Sequence, residues 1–204
     1  MNLISPSPTL AVNRKAAELK SQGVDIISMG AGEPDFDTPY NIKQAAIKAI
    51  DDGLTKYTNV DGTPALKKAI ISKFKRENLI DYTPEEIIVS NGGKQVIYNL
   101  FMASLNHGDE VIIPEPFYAN YNGFSIASGV KVVPVISGIE TGFALPPIEA
   151  FEKLITPKTK AILICNPGNP TGYLYSKEEI LKLAEIVKKH DLFLIADEVY
   201  REFI

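Results

Sequence analysis

Short apolar runs recur along the second half of the chain, and stretches whose apolar residues have helical spacing separate them. The runs cover residues 87–89, 111–113, 130–136, 161–165 and 192–196. Apart from Lys131 they are apolar, and they do not alternate with polar residues, which is typical of strands covered on both faces. Strands that alternate with helices in this way predict an α/β fold, with a mainly parallel sheet between two helical layers, a three-layer sandwich.

The helices predicted between these strands carry start and stop signals. One helix follows Gly92 and continues through residue 105, and two more cover residues 116–128 and 146–155. The last begins after Ser176, with Glu179 three residues later as in a capping box, and continues to residue 190. Each strand of the sheet is therefore joined to the next by a helix.

The first half of the chain is predicted to be mostly helical. Residues 1–10 contain two prolines and two serines and indicate an extended arm, which precedes a helix over residues 12–22 that Gly23 ends. Residues 26–29 indicate a short strand. Further helices begin at Thr38-Pro39 and at Thr63-Pro64, where the proline suits the first helical turn.

This pattern divides the chain into two parts. Residues 1–40 are interpreted as an N-terminal arm and part of a small lobe, and residues 41–204 as a large α/β domain. Only residues 197–204 follow the last predicted strand. A parallel sheet that ends there lacks what would follow, so the large domain is expected to be incomplete.

Composition and charge exclude several classes of protein. The 204 residues are 45% hydrophobic and 23% charged, with a net charge of −4 and no basic patch that would indicate nucleic-acid binding. The apolar runs are too short for a membrane span, and no signal peptide is recognisable. The single cysteine, Cys165, fits a reducing compartment and reads as a core residue. A cytoplasmic protein without a metal site is predicted.

Two features with possible chemistry lie where predicted strands end, the edge at which open α/β sheets bind ligands. Gly92-Gly93-Lys94 lies between a strand and a helix. Glycines and free amide groups at such a place can bind a phosphate, and the alternative is that the segment is only a tight turn. Tyr118 follows the next strand. Its ring could stack on a flat ligand or pack beneath a loop.

Two further features follow later strands. The loop over residues 166–172 has two Asn-Pro pairs and two glycines, more than a plain turn needs, and Asn169 in it can donate a hydrogen bond to a phenolic oxygen. Asp197 follows the last apolar run, with Tyr200 three residues on. An acid at a strand end is poorly solvated and favours a cationic partner such as a protonated pyridine nitrogen, although a helix cap is the alternative.

Taken together, these motifs resemble the class I and II aminotransferases, pyridoxal phosphate enzymes of fold type I. The resemblance covers residues 5–203. It rests on Gly-Glu-Pro-Asp-Phe-Asp-Thr-Pro at 32–39, Asn-Pro-Gly-Asn-Pro-Thr-Gly at 166–172 and Ile-Ala-Asp-Glu-Val-Tyr at 195–200. Within the family the chain looks most like the bacterial aspartate aminotransferases.

The resemblance implies a role for each candidate residue. Gly92, Gly93 and Lys94 match the segment that binds the cofactor phosphate, and Tyr118 matches the aromatic residue that stacks on the pyridine ring. Asn169 and Tyr200 match the residues that bond the ring hydroxyl, and Asp197 matches the carboxylate that pairs with the ring nitrogen.

Two more residues match positions outside this group. Tyr57 matches a tyrosine that reaches the cofactor phosphate of the partner subunit, so a homodimer is expected. Gly32 matches the residue whose backbone meets the α-carboxylate of the substrate. The substrates implied are an amino acid, with aspartate the first choice, and a 2-oxo acid.

The family's Schiff-base lysine has no counterpart among these residues. No lysine follows Asp197, and Lys94 belongs to the phosphate segment. The resemblance therefore places that lysine and the carboxylate-binding arginine beyond residue 204. The expected function is that of the N-terminal part of an aminotransferase, inactive by itself.

Two alternatives remain open from the sequence. Lyases and decarboxylases that use the same cofactor share these motifs. A non-catalytic module for cofactor binding or dimerisation is the second alternative, although Asp197, Asn169 and Tyr200 together argue against a decayed site.

Overall fold

The computed structural model describes residues 8–30 and 32–203. These residues fall into two compact units, one up to Ser90 and the other from Asn91 onwards. The predicted division near residue 40 stays a prediction. The helices and strands, in chain order, are α1 (Pro8–Ser21), α2 (Tyr40–Asp51), α3 (Pro64–Asn78), α4 (Gly92–Ser104), β1 (Glu110–Glu115), α5 (Asn120–Ser128), β2 (Lys131–Ile136), α6 (Ile148–Glu152), β3 (Thr159–Cys165), α7 (Lys177–His190) and β4 (Phe193–Asp197).

The four strands form one parallel sheet in the order β2-β1-β3-β4, as the sequence predicts. After β1 the chain moves outward to β2, and it then returns across β1 to form β3 and β4 on the other side. The order of the strands therefore reverses between β1 and β3. In open α/β sheets the crevice at the carboxyl ends of two such strands is the usual place for a ligand.

Side chains on successive strand residues enter two separate cores. Val111 and Ile113 of β1 and Leu163 of β3 pack with residues of α4 and α5. The intervening residues Ile112 and Ile162 pack with α6 and α7. This alternation follows from the two-residue period of a strand. Helices therefore cover both faces of the sheet, which confirms the three-layer α/β fold.

The unit before Asn91 is helical and differs from the sequence prediction in two segments. Residues 26–29 and 87–89 were both predicted as strands, and both are irregular in the structure. Ile88 is 70% exposed, and the Val89 N–H donates to the Asp61 carbonyl at 3.0 Å. These predictions were wrong because an extended segment becomes a strand only when another strand pairs with it, whatever its β propensity.

The N-terminal arm also differs from the prediction where it can be compared. Helix α1 already begins at Pro8, so residues 8–10 of the predicted arm are helical. Proline is tolerated in the first turn of a helix, where its missing N–H would have no partner. Residues 1–7 lie outside the described residues. Helix α5 begins at Asn120, four residues after the proline at which the sequence places its start.

Over residues 8–30 and 32–203, every helix is too short or too polar to cross a lipid bilayer.

Candidate functional site

A cavity of about 210 Å³ lies at the carboxyl ends of β1, β3 and β4 in the unit from Asn91 onwards. It is thus located where the strand order reverses. Its wall combines the start of α4 with residues that follow three strands. The lining residues are Gly93, Lys94, Ile97, Tyr118, Tyr121, Cys165, Asn169, Asp197, Val199 and Tyr200.

Helix α4 contributes backbone amide groups to this wall. Gly92 is its first residue and has φ +78°, a left-handed conformation that favours glycine. The first N–H groups of a helix have no acceptor within the helix and bind anions well. A Cβ atom on Gly93 would meet no protein atom within 4 Å, so no packing contact requires a glycine there. Gly93 itself lines the cavity.

Two aromatic residues form another part of the wall. Tyr118 follows β1 and is half-buried, and its hydroxyl accepts a hydrogen bond from the Asn120 amide group. Its ring meets the edge of Tyr121, with 5.5 Å between the ring centroids and 88° between the planes. Contact with Tyr121 and the bond to Asn120 hold the Tyr118 ring in place. A fixed ring of this kind can pack against a flat ligand.

The loop after β3 is held by its own hydrogen bonds. The Asn166 side-chain oxygen accepts from the Tyr175 N–H at 3.0 Å, and the Gly168 N–H donates to the Tyr173 carbonyl at 2.8 Å. A Cβ atom on Gly168 would lie 2.7 Å from the Thr171 hydroxyl oxygen, so a larger residue there would have to displace the Thr171 side chain. This loop places Asn169 in the wall of the cavity.

The amide group of Asn169 meets the hydroxyl of Tyr200. Asn169 Nδ2 lies 3.2 Å from Tyr200 Oη, although the two residues are 31 positions apart. Tyr200 is 37% exposed. Two donor groups that line a cavity side by side can bond one phenolic oxygen of a ligand, because an amide and a hydroxyl each have a hydrogen to donate.

Asp197 ends β4 and provides the carboxylate of the cavity. It pairs in register with Cys165, the last residue of β3. Ile195, two positions earlier, packs in the core formed with α4 and α5, so the alternation of side chains turns Asp197 to the same face. Oδ2 of Asp197 accepts from Tyr121 Oη at 2.7 Å, and Oδ1 accepts from the Val199 N–H at 3.2 Å.

The structure thus brings six of the nine candidate residues to one cavity and places a seventh beside it. Gly93, Lys94, Tyr118, Asn169, Asp197 and Tyr200 line the cavity, and Gly92 is adjacent to Gly93. Tyr57 and Gly32 belong to the other unit, where the Tyr57 side chain is fully exposed. The predicted roles of these two residues stay predictions.

Two cavity residues were missed by the sequence reasoning. Tyr121 is 0% exposed, and burial raises the pKa of its hydroxyl far above the ordinary value. Cys165, interpreted from the sequence as a core residue, lies half-buried in the wall. Burial and the nearby Asp197 carboxylate raise the pKa of its thiol, which therefore stays neutral. No motif distinguished either residue from ordinary packing residues.

Charge and hydrogen bonding divide the cavity into three regions. Lys94 and the amide groups of α4 can hold an anion, the Tyr118 ring can pack on a flat group, and Asp197 can pair with a cation. Among the described residues, Asp197 is the one carboxylate and Lys94 the one ammonium group in the wall. A flat, cationic ring with an anionic substituent fits this arrangement.

Glu179 anchors the loop that carries Asn169. Its carboxylate accepts from the Ser176 N–H at 2.7 Å in the predicted capping box, from the Leu145 N–H at 2.8 Å, and from the Tyr173 hydroxyl at 3.2 Å. Burial would raise the pKa of Glu179, but the bonds from Ser176 and Leu145 outweigh it and lower the pKa below 4.5. The charged form therefore stabilises the fold.

We expect Glu179→Gln to lower the free energy of unfolding at pH 7 by about 1 kcal/mol, because neutral acceptors bind amide groups less strongly. The native pKa lies below the unfolded value, so this stabilisation is present above pH 4.5 and is lost as the pH falls through the native pKa. Urea titrations at pH 7 and pH 3.5 measure it. If the free energies of unfolding of the native chain and the variant differ by the same amount at both pH values, the assignment is contradicted.

Comparisons with known proteins identify the family of the chain. A sequence model of the family described as aminotransferase class I and II matches residues 24–204. A probable aspartate/prephenate aminotransferase of Rickettsia bellii is 61% identical over 201 residues, which are 98% of this chain and 50% of that protein. The aspartate/prephenate aminotransferase of Cereibacter sphaeroides is 49% identical, with 98% of this chain and 50% of that protein covered.

Solved structures give the same result. An aspartate aminotransferase from Thermus thermophilus with maleate has a TM-score of 0.90 at 47% identity, over 95% of this chain and 50% of that one. A tetra mutant of the Thermus enzyme complexed with tryptophan has a TM-score of 0.93 at 45% identity, over 98% and 52%. The chain spans about half the length of the curated relatives it matches.

Proposed function

Since the chain belongs to the class I and II aminotransferases, we propose that it forms the pyridoxal phosphate site of an enzyme that transfers an amino group from an amino acid to a 2-oxo acid. The observation that carries this proposal is the convergence on one cavity of Gly93, Lys94, Tyr118, Asn169 and Asp197. These residues come from four separate places in the sequence, and packing of the fold alone does not require them together.

The residues of the cavity fit this cofactor. Gly93 leaves open the space that a side chain would fill, next to amide groups that suit a phosphate. Tyr118 would lie against the pyridine ring, Asn169 and Tyr200 would bond its hydroxyl, and Asp197 would pair with its nitrogen. When bound, the cofactor serves as the electron sink that withdrawal of a proton from the amino acid requires.

The chain's own groups then have separate tasks. Asp197 holds a proton on the ring nitrogen, because a nearby negative charge favours the cationic form. The hydroxyl and amide donors of Tyr200 and Asn169 stabilise negative charge on the phenolic oxygen. Lys94 and the amide groups of α4 fix the phosphate. Orientation by several such contacts is what makes a bound reactant reactive.

The substrates proposed for the complete activity follow the names of the relatives. The Rickettsia and Cereibacter proteins are named aspartate/prephenate aminotransferases. We therefore propose aspartate as the amino acid and prephenate among the 2-oxo acids, with Gly32 at the α-carboxylate. A cytoplasmic homodimer is proposed as well, with the fully exposed Tyr57 directed to the cofactor phosphate of the partner.

Binding of pyridoxamine phosphate tests the proposed site directly. This amino form of the cofactor has the same ring, hydroxyl and phosphate, but it has no aldehyde that would react with surface lysines. Calorimetric titration should show that one molecule of pyridoxamine phosphate binds per chain and that added inorganic phosphate weakens this binding. Pyridoxamine without the phosphate group should bind much less tightly. Absence of binding, or binding that is indifferent to the phosphate, would contradict the proposal.

We expect Gly93→Val to weaken binding of pyridoxamine phosphate by roughly tenfold or more, the effect of losing at least one hydrogen bond to a charged group. The added side chain would occupy the open space beside the helix start, which no protein atom fills. The same titration measures the loss, and thermal unfolding should show a small change in stability. A matched control is Gly123→Val in α5, where a Cβ atom also meets nothing within 4 Å. Equal loss of binding in both variants would contradict the assignment.

A further inference from the structure

The Tyr121 hydroxyl lies behind the Asp197 carboxylate. Tyr121 belongs to the first turn of α5, and its side chain is entirely buried in the core between the sheet and α4 and α5. From there Oη donates to Oδ2 of Asp197 at 2.7 Å, over a separation of 76 residues in the sequence. A short bond from a buried neutral donor to a carboxylate is among the stronger hydrogen bonds in proteins.

The single hydrogen of this hydroxyl has one good acceptor. The thiol of Cys165 is also near, but its own hydrogen is donated to the Pro167 carbonyl, with 3.2 Å between Sγ and the oxygen. A carboxylate is a stronger acceptor than a neutral thiol. Burial keeps the hydroxyl protonated by raising its pKa, so Tyr121 remains a donor across the pH range of a folded protein.

The carboxylate is thus fixed at both oxygens by the chain itself. Oδ1 accepts the Val199 N–H at 3.2 Å, and Oδ2 accepts the Tyr121 hydroxyl. Hydrogen bonds to the charged form of an acid favour that form, whereas burial favours the neutral form. Each carboxylate oxygen has room for a second donor. The carboxylate is therefore oriented before any cation in the cavity pairs with it.

We propose that Tyr121 is a positioning residue, whose hydroxyl orients the Asp197 carboxylate and bonds it so that the proton of a bound pyridine ring stays on the ring nitrogen. This inference rests on the proposed function. In the buried pair of Asp197 carboxylate and pyridinium, loss of the Tyr121 hydroxyl removes one hydrogen-bond donor from the carboxylate. The neutral pair, with the proton on Asp197, then becomes more favourable.

Nitrogen NMR of a bound ligand measures the position of that proton. Pyridoxamine phosphate labelled with ¹⁵N in the ring is bound to the native chain and to Tyr121→Phe, which keeps the ring that packs on Tyr118. The native complex should give the ¹⁵N shift of a protonated ring. In the variant the shift should move toward that of neutral pyridine, and the dissociation constant should rise roughly five- to twentyfold, as for one lost hydrogen bond to a charged group.

Tyr173→Phe is the matched control, because its hydroxyl also bonds a carboxylate, that of Glu179, outside the cavity. It should leave the ¹⁵N shift unchanged. Combination of Tyr121→Phe with Asp197→Asn should abolish the effect of the first substitution, since the hydroxyl then has no charged partner. Circular dichroism and thermal unfolding confirm that each variant is folded.

Two results would overturn the inference and can be told apart. If the native chain binds pyridoxamine phosphate and Tyr121→Phe leaves the ¹⁵N shift and its pH dependence unchanged, the positioning role fails while the cofactor site stands. If the native chain binds no pyridoxamine phosphate, the proposed function fails and this inference fails with it.

Discussion

Replacement of Asp197 by alanine is expected to weaken binding of pyridoxamine phosphate by about a hundredfold or more, the effect of leaving one member of a buried ion pair without its partner. The carboxylate is the one negative group in the cavity wall among the described residues. Without it, a cationic ring would be desolvated with no charge to balance it. The protonated form of the ring would therefore bind far less tightly than before.

Calorimetry at pH 7.5 with native chain and variant measures this loss. The matched control is Glu198→Gln, which removes a negative charge from the adjacent residue. The Glu198 carboxylate lies outside the cavity wall, 3.7 Å from the guanidinium of Arg201. It should bind the ligand as the native chain does. If Asp197→Ala binds as tightly as Glu198→Gln does, Asp197 is not the partner of the ring.

Replacement of Phe101 by alanine is expected to give the largest loss of stability, about 3–5 kcal/mol in the free energy of unfolding. Phe101 lies on α4 and is 0% exposed, packed in the same core as Tyr121. Its removal leaves a cavity beneath the helix whose first turn forms the proposed phosphate site. Binding of pyridoxamine phosphate should fall too, because α4 loses a fully buried side chain from the core on which it packs.

Urea unfolding followed by circular dichroism measures the change. The neighbouring Met102, on the same helix, is 55% exposed, so Met102→Ala should cost less than about 1 kcal/mol, as expected for a surface position. Equal losses in the two variants would mean that α4 does not pack on the sheet as described.

The fold between residues 91 and 203 was predictable because its signals are local and mutually consistent. The apolar run at 161–165 is shielded from water only when helices cover both faces of its strand. The capping box of Ser176 and Glu179 specifies where α7 begins. The run at 87–89 is also apolar throughout, yet it is no strand. Pairing depends on a partner elsewhere in the chain, and the composition of a segment does not include that information.

The site was predictable to the extent that the loop motifs at strand ends define it. Asn169 follows β3 and Asp197 ends β4, and the order of the strands in the sheet brings these ends together. The role of Tyr121 was not predictable, because it depends on a hydrogen bond from its hydroxyl to a carboxylate that lies 76 residues away in the sequence. In the sequence Tyr121 is only one aromatic residue near another. A buried tyrosine needs a hydrogen-bond partner, but which partner it finds follows only from the fold.

The alternation of side chains along β4 makes the site sensitive to insertions and deletions. Ile195 and Asp197 face α4 and α5, and Ala196 between them faces the opposite layer. Insertion of a single residue into β4 before Ala196, with the pairing of the preceding residues to β3 kept, would turn the carboxylate toward α7 and present an alanine methyl group to the cavity. Such an insertion would therefore remove from the cavity the one group, among the residues that the structure describes, that can balance a positive charge there.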